Sequence, residues 1–164
     1  MGTSNNRYGS IRNLEKQRIE FQNRIDSKND IEYRRHEGQF STPFALAKEI
    51  TEYAIQLIDD NYISFLEPAV GTGAFISAFL DSMEKSSKKV TKILGIEKDA
   101  DFYEAATTLW GNECVINKDF FKEPANASYN LLICNPPYVR HHYISKEYKQ
   151  FLKDMSIDEI GYAP

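Results

Sequence analysis

A chain of 164 residues with 41% apolar and 27% charged side chains has the make-up of one soluble domain, long enough to bury roughly two thirds of its unfolded surface. No apolar run approaches the roughly 20 residues needed to cross a bilayer, and the polar start Met1-Gly2-Thr3-Ser4-Asn5-Asn6 has no secretory apolar core, so no membrane partner and a cytoplasmic location are expected. Twenty Lys/Arg against 24 Asp/Glu give a net charge of −4, which excludes a chain that grips nucleic acid over its whole surface.

From Ile11 to Arg35 the sequence is rich in helix formers and free of Gly and Pro, predicting one or two charged amphipathic helices. Ile11, Leu14, Phe21 and Ile25 follow a near-heptad spacing that Arg18 interrupts. So few apolar residues cannot make a core, so the leader, residues 1–37, is expected to lie on the main domain, residues 38–164, or on a partner. Gly38-Gln39-Phe40 ends the pattern. Ser41 or Thr42 is then placed to cap a helix with Pro43 in its first turn, running to about Asp60 and burying Phe44, Leu46, Ile50, Tyr53, Ala54 and Leu57.

Short apolar runs then alternate with helical stretches. Strands are predicted at Ile63 to Leu66, Val90 to Ile96, Cys114 to Ile116 and Tyr129 to Cys134, with helices from Ala74 to about Lys85 and from Ala100 to Trp110. This order predicts an α/β fold, a Rossmann-like, doubly wound and mostly parallel sheet buried on both faces. Cys114 and Cys134, in apolar segments without companion ligands, read as buried thiols, and the adjacent His141 and His142 point too far apart to share a metal, so no metal site is expected.

Chemistry concentrates where strands end. Phe65-Leu66-Glu67-Pro68-Ala69-Val70-Gly71-Thr72-Gly73-Ala74 places an acid at the end of the first strand and Gly-x-Gly at the start of a helix, where glycines admit close backbone approach and free N–H groups face an anion. Ile76 replaces the third glycine of the dinucleotide fingerprint, which favours a smaller nucleoside ligand. Glu97, followed by Lys98, ends the second strand where an acid can accept from both ribose hydroxyls, with a solvated Glu as the bland alternative. Asp119 and Phe120 pair a carboxylate with an aromatic wall, suited to an adenine amine and ring, or else to a turn over core phenylalanines. Asn135-Pro136-Pro137-Tyr138 ends the fourth strand with two residues that cannot donate to a ladder, leaving an amide oxygen, a carbonyl and a ring for a planar amine. A basic cluster follows at Arg140, His141, His142, Lys146, Lys149 and Lys153, readable also as a solvated helix face.

Together these residues resemble the S-adenosylmethionine-dependent amino-methyltransferases, and most closely the DNA adenine-N6 methyltransferases of restriction–modification systems whose cofactor motifs precede the catalytic one. The resemblance runs from about Gly38 to Tyr143. It implies that Thr42 and Pro43 of Gly38-Gln39-Phe40-Ser41-Thr42-Pro43 hold the cofactor's methionine end. It further implies that Glu67, Pro68, Ala69, Gly71 and Gly73 form the cofactor loop, Glu97 the ribose acid, and Asp119 and Phe120 the adenine pocket, with Lys98 also among the cofactor-binding residues. Asn135, Pro136, Pro137 and Tyr138 would be the catalytic tetrapeptide, Asn135 also facing the cofactor. The implied reaction is direct methyl transfer to the amine of an adenine flipped out of double-stranded DNA. Such enzymes continue past the tetrapeptide into further strands and a target-recognition region. The four strands of this chain would be the cofactor half of the sheet, and the chain a fragment, a truncated reading frame or one half of a split enzyme, with a C-terminal half or second chain completing the sheet. Alternatives are a protein N5-glutamine methyltransferase, which uses a similar tetrapeptide, an enzyme acting on RNA amines, or a non-catalytic cofactor-binding partner.

Overall fold

A computed structural model describes residues 11–28, 32, 38–124 and 127–160. The expected continuation of the leader helix to Arg35, and Gly161-Tyr162-Ala163, lie outside the described residues. Two compact units are present, one holding the described residues of 1–29 and 41–136, the other those of 30–40 and 137–164.

The first unit is a four-stranded parallel sheet under a layer of helices. Helix α1 (Ile11–Lys28) and helix α2 (Phe44–Gln56) precede strand β1 (Tyr62–Glu67), and then come helix α3 (Ala74–Met83), strand β2 (Lys89–Glu97) and helix α4 (Ala100–Trp110). Strand β3 (Val115–Asn117), a 3-10 turn (Phe120–Lys122) and strand β4 (Leu131–Leu132) complete it. The strand order β3-β2-β1-β4, all parallel, reverses direction at β1, which is the mark of a doubly wound sheet. Both helical crossovers carry the chain the same way across the sheet, so right-handed connection places α3 and α4 on one face. Ile63, Phe65, Ile93, Val115, Leu131 and Ile133 form that face and pack with Phe75, Ala78, Phe79, Ala106, Leu109 and Trp110.

Burial of the other face is less complete than the apolar strands predict. Leu132, in register with Leu66 on the edge strand, is 56% exposed, while Leu66 and Ile96 on the same face are buried. Strand β4 is also shorter than expected, although Asn130 N–H donating to the Ser64 carbonyl and Ile133 N–H to the Leu66 carbonyl continue its pairing beyond both ends. Cys114 and Cys134 are half-buried rather than buried.

Helix α2 corrects the sequence reading twice. It begins at Phe44 with Pro43 in the capping position and no side-chain cap, so neither Ser41 nor Thr42 caps it. Its face is also rotated: Leu46, Ile50, Tyr53 and Leu57 are exposed, while Ala47 and Thr51 are fully buried and Phe44 and Ala54 pack beside them. Small residues win the inner face because α2 lies close against α3, where Ala78 and Ser77 are also fully buried, and Lys48 pairs with Asp81 across the two helices at 2.6 Å. Ala47→Leu is therefore expected to cost about 1–3 kcal/mol by overpacking, whereas Leu57→Ser should stay within about 0.5 kcal/mol. Denaturant midpoints of the two variants measure both, and the reverse ranking would restore the face read from periodicity.

In the second unit a 3-10 turn (His141–Tyr143) leads into helix α5 (Lys146–Ile160). Gly38 lies at φ 65° with its carbonyl accepting from the Tyr138 N–H at 3.4 Å, and a Cβ there would collide with the Tyr138 backbone. That contact explains the glycine of the leading motif. The cluster residues Arg140, His141, His142, Lys146 and Lys153 are exposed and Lys149 is half-buried.

Candidate active site

The carboxyl ends of β1 and β4 flank the point where the sheet reverses, so the loop after β1 opens onto the crevice where such folds take ligands. Glu67 closes β1, and Pro68 and Ala69, both half-buried, turn the chain. Val70 N–H then donates to the Ile96 carbonyl and Gly73 N–H to the Val70 carbonyl, folding the loop back over β2. Gly73 starts α3 in the left-handed region at φ 87°, and a Cβ there would run into the Trp110 indole, so only glycine fits.

A glycine cap has no side chain to serve the first amides of α3, and Glu67 supplies what is missing. Its Oε2 accepts from the Ile76 N–H at 3.2 Å, and the Phe75 N–H also bonds the carboxylate. Only 2% of Glu67 is exposed, and its pKa is raised well above the ordinary 4.5, first by burial and further by the nearby Glu97. Glu97 is held differently: Oε1 accepts from the Asp99 N–H at 2.8 Å and Oε2 from the Gly71 N–H at 2.7 Å. Burial raises its pKa as well, against those backbone bonds. Asp99 caps α4 by accepting from the Asp101 and Phe102 amides, so of two neighbouring acids one serves the helix and one the loop.

Asn117 Nδ2 and Lys118 N–H donate to the Glu97 carbonyl and bring the end of β3 alongside β2. Two residues on, Asp119 Oδ1 accepts from the Phe121 N–H and caps a short turn, while Oδ2 lies 3.6 Å from the Lys98 ammonium. Phe120, half-buried, packs edge-on to Phe121 with centroids 5.7 Å apart. Beyond β4, Asn135 Nδ2 donates to Thr42 Oγ1 at 3.0 Å, a bond spanning 93 positions of sequence. The structure thus joins Thr42 to Asn135, Gly71 to Glu97 and Lys98 to Asp119. Pro43 and Pro136 are exposed, and Pro137 and Tyr138 belong to the second unit, where Tyr138 is 71% exposed.

Three residues that the motifs do not mark, Arg18, Gln22 and Trp110, also shape the loop through Thr72. Arg18, 3% exposed, forks onto both carboxylate oxygens of Glu15 at 2.8 and 2.7 Å and donates from Nη1 to Thr72 Oγ1 at 3.1 Å and to Ser41 Oγ at 3.5 Å. The Thr72 hydroxyl donates to Gln22 Oε1 at 2.9 Å, and the Thr72 carbonyl accepts from the Trp110 indole at 2.9 Å. One signal is visible in the sequence: Arg18 sits where the apolar spacing of the leader calls for a hydrophobe. Nothing local marks Gln22 or Trp110.

A parallel sheet reversing at a glycine loop is a doubly wound, Rossmann-like fold. The chain superposes on a Listeria monocytogenes protein assigned to the class I S-adenosylmethionine-dependent methyltransferases with a TM-score of 0.55 at 18% identity, covering 79% of this chain and 42% of that one. Residues 27–164 match the N-6 DNA methylase family, and the chain belongs to it. It is 36% identical over 121 residues to the type II methyltransferase M.HincII of Haemophilus influenzae, 73% of this chain and 21% of that protein. Similarity extends to M.AccI of Acinetobacter calcoaceticus, 29% identical over 76% of this chain and 22% of the relative. M.CvrRI of Paramecium bursaria Chlorella virus XZ-6E is 31% identical over 76% of this chain and 30% of the relative. The chain therefore spans between about a fifth and a third of these type II methyltransferases. Among the described residues no helix is long and apolar enough to cross a membrane.

The raised pKa of Glu67 has a consequence for stability. The folded chain binds this proton more tightly than the unfolded chain, so stability falls as pH rises from the ordinary value of 4.5 through the higher folded one. Melting temperatures measured from about pH 4.5 upward should shift in favour of Glu67→Gln relative to wild type as pH increases. Parallel curves would mean that burial does not penalise the Glu67 carboxylate.

Proposed function

We propose that this chain is the cofactor-binding and catalytic part of a site-specific DNA adenine-N6 methyltransferase of a restriction–modification system, using S-adenosylmethionine in the cytoplasm. The single observation that carries the reading is the bond from Asn135 Nδ2 to Thr42, because it turns the amide so that Oδ1 is the atom left to accept from a substrate amine. In this reading residues 38–164 belong to the catalytic domain and residues 1–37 are its leader.

The residues present suit the cofactor. The space where a Cβ of Gly71 would sit is open, so backbone at that point admits a ligand at close range. Glu97, already oriented by the Gly71 and Asp99 amides, keeps a further lone pair on each oxygen for ribose hydroxyls. Thr42 and Pro43 would flank the methionine end, and Gly71 and Gly73 with Glu67, Pro68 and Ala69 would shape the loop. Lys98, Asp119 and Phe120 would border the adenine. When bound, the cofactor supplies an electrophilic sulfonium methyl.

The chain's own residues then position the acceptor. Asn135 Oδ1 and the Pro136 carbonyl accept the two hydrogens of the adenine amine and aim its lone pair at the methyl. Once the nitrogen is alkylated and cationic, it releases one of these hydrogens as a proton to water, the two oxygens holding it by hydrogen bond until then. Pro137 keeps that segment out of a ladder, and the exposed Tyr138 ring stacks on the flipped base. Rate comes from geometry and oriented dipoles, with no covalent intermediate. Double-stranded DNA is the partner, and a C-terminal half or second chain would extend the sheet beyond β4.

Calorimetric titration with S-adenosylmethionine should give saturable heat that weakens by about tenfold or more in Glu97→Ala, the effect of roughly one lost hydrogen bond to a charged group. In an enzyme carrying this chain, Asn135→Ala should lower adenine methylation by about a hundredfold or more while cofactor affinity stays within about twofold. Methylation that survives the loss of Asn135 would show that its amide does not position the adenine amine.

A further inference from the structure

We propose that Arg18, which lies on α1 ahead of the family-matched residues 27–164, is a positioning residue of the cofactor site that governs its methionine end. The inference rests on the S-adenosylmethionine reading above and extends it to residues outside the recognised motifs. Its basis is the shape of the polar contacts that α1 makes. Helix α1 packs on α3 and α4, and a face carrying only Leu14, Phe21 and Ile25 would satisfy that docking. Instead the face also carries Glu15, Arg18 and Gln22, each no more than 8% exposed.

Burying an ion pair costs desolvation that apolar packing would avoid, so this arrangement is a weak fastener. What it provides is direction. Glu15 holds the guanidinium by two bonds and leaves Nη1 pointing at two hydroxyls, Thr72 of the glycine loop and Ser41 of the leading motif. Gln22 adds a second bond to Thr72, with its Nε2 donating to Asp26 at 3.0 Å, which fixes its amide orientation. Ser41 is followed by Thr42, which holds Asn135. A continuous path therefore runs from the glycine loop through Arg18 and the Ser41-Thr42 peptide to the catalytic amide, all within the first unit.

Beside the path lies a groove of about 310 Å³ lined by Glu15, Arg18, Gln22, Asp26, Ser41 and Thr42 among others. Carboxylates, a guanidinium and hydroxyls side by side form a lining suited to a zwitterion, and the amino-acid end of the cofactor is one. Arg18 touches neither Glu97 nor Asp119 through any of its four bonds, so its influence should fall on the amino-acid end and spare the nucleoside end.

The test compares S-adenosylmethionine with 5′-methylthioadenosine, which has the nucleoside and lacks the amino acid, by calorimetry on the whole chain. Arg18→Met and the isosteric Thr72→Val should weaken S-adenosylmethionine by about tenfold, the effect of roughly one charge-assisted hydrogen bond, and 5′-methylthioadenosine by less than about twofold. Thr72→Ser, which keeps the hydroxyl, should bind both as wild type does. Unchanged affinity for S-adenosylmethionine in Thr72→Val, or equal losses for the two ligands, would reduce Arg18 to a docking residue and overturn the inference. A wild-type chain that takes up 5′-methylthioadenosine and not S-adenosylmethionine would also overturn it. If wild type takes up neither, the cofactor reading itself fails and this inference with it.

Discussion

The chain turns on how the loop Val70-Gly71-Thr72-Gly73 is held. Its conformation is left-handed at both glycines and has no ladder to lean on, yet it is bonded at nearly every residue from a different element. Val70 is tied to β2, Gly71 to Glu97, the Thr72 carbonyl to Trp110 on α4 and the Thr72 hydroxyl to α1. Glycine allows this backbone without steric cost, and the bonds from the surrounding elements select it from the many conformations glycine could take. The core serves the same end. Trp110, only 3% exposed, is at once a large apolar contact under the sheet and the donor that fixes the loop.

Electrostatics follows from that loop. Burial raises the pKa of both carboxylates at these adjacent strand ends, and the nearby Glu97 raises that of Glu67 further. Backbone amides offset this: the start of α3 serves Glu67, and the loop and the turn before α4 serve Glu97. Glu67 is thereby committed to holding the helix, whereas Glu97 lies beside the open space at Gly71. The two acids look alike in sequence and are held differently, Glu67 by the start of α3 and Glu97 by the loop and the turn before α4.

Much of this was legible in the residues. Strands β1 and β2 and helices α3 and α4 fall within a few residues of their expected bounds because their apolar runs are long and punctuated by Glu67-Pro68, Gly73 and Gly111. Three features escaped for physical reasons. Helix α2 has large apolar residues on two faces, so periodicity cannot tell which face the close approach of α3 selects. Ser41 and Thr42 have the chemistry of caps, and only the fold shows that their hydroxyls go to Arg18 and Asn135 instead. Gln22 and Trp110 reach Thr72 across 50 and 38 positions of sequence, and no local pattern encodes such contacts.

S-adenosylmethionine is proposed to bind at the carboxyl edge around this loop. Amide hydrogen exchange of the chain, measured with and without S-adenosylmethionine, tests this residue by residue. Protection should rise at the amides of Gly71 to Ile76 and around Glu97, and extend to the segment after Ser41, while the exposed face of α2 around Tyr53 and Leu57 stays unchanged. Saturating ligand that leaves the Gly71 to Ile76 amides exchanging as before, or that protects only residues remote from this edge, would contradict the account.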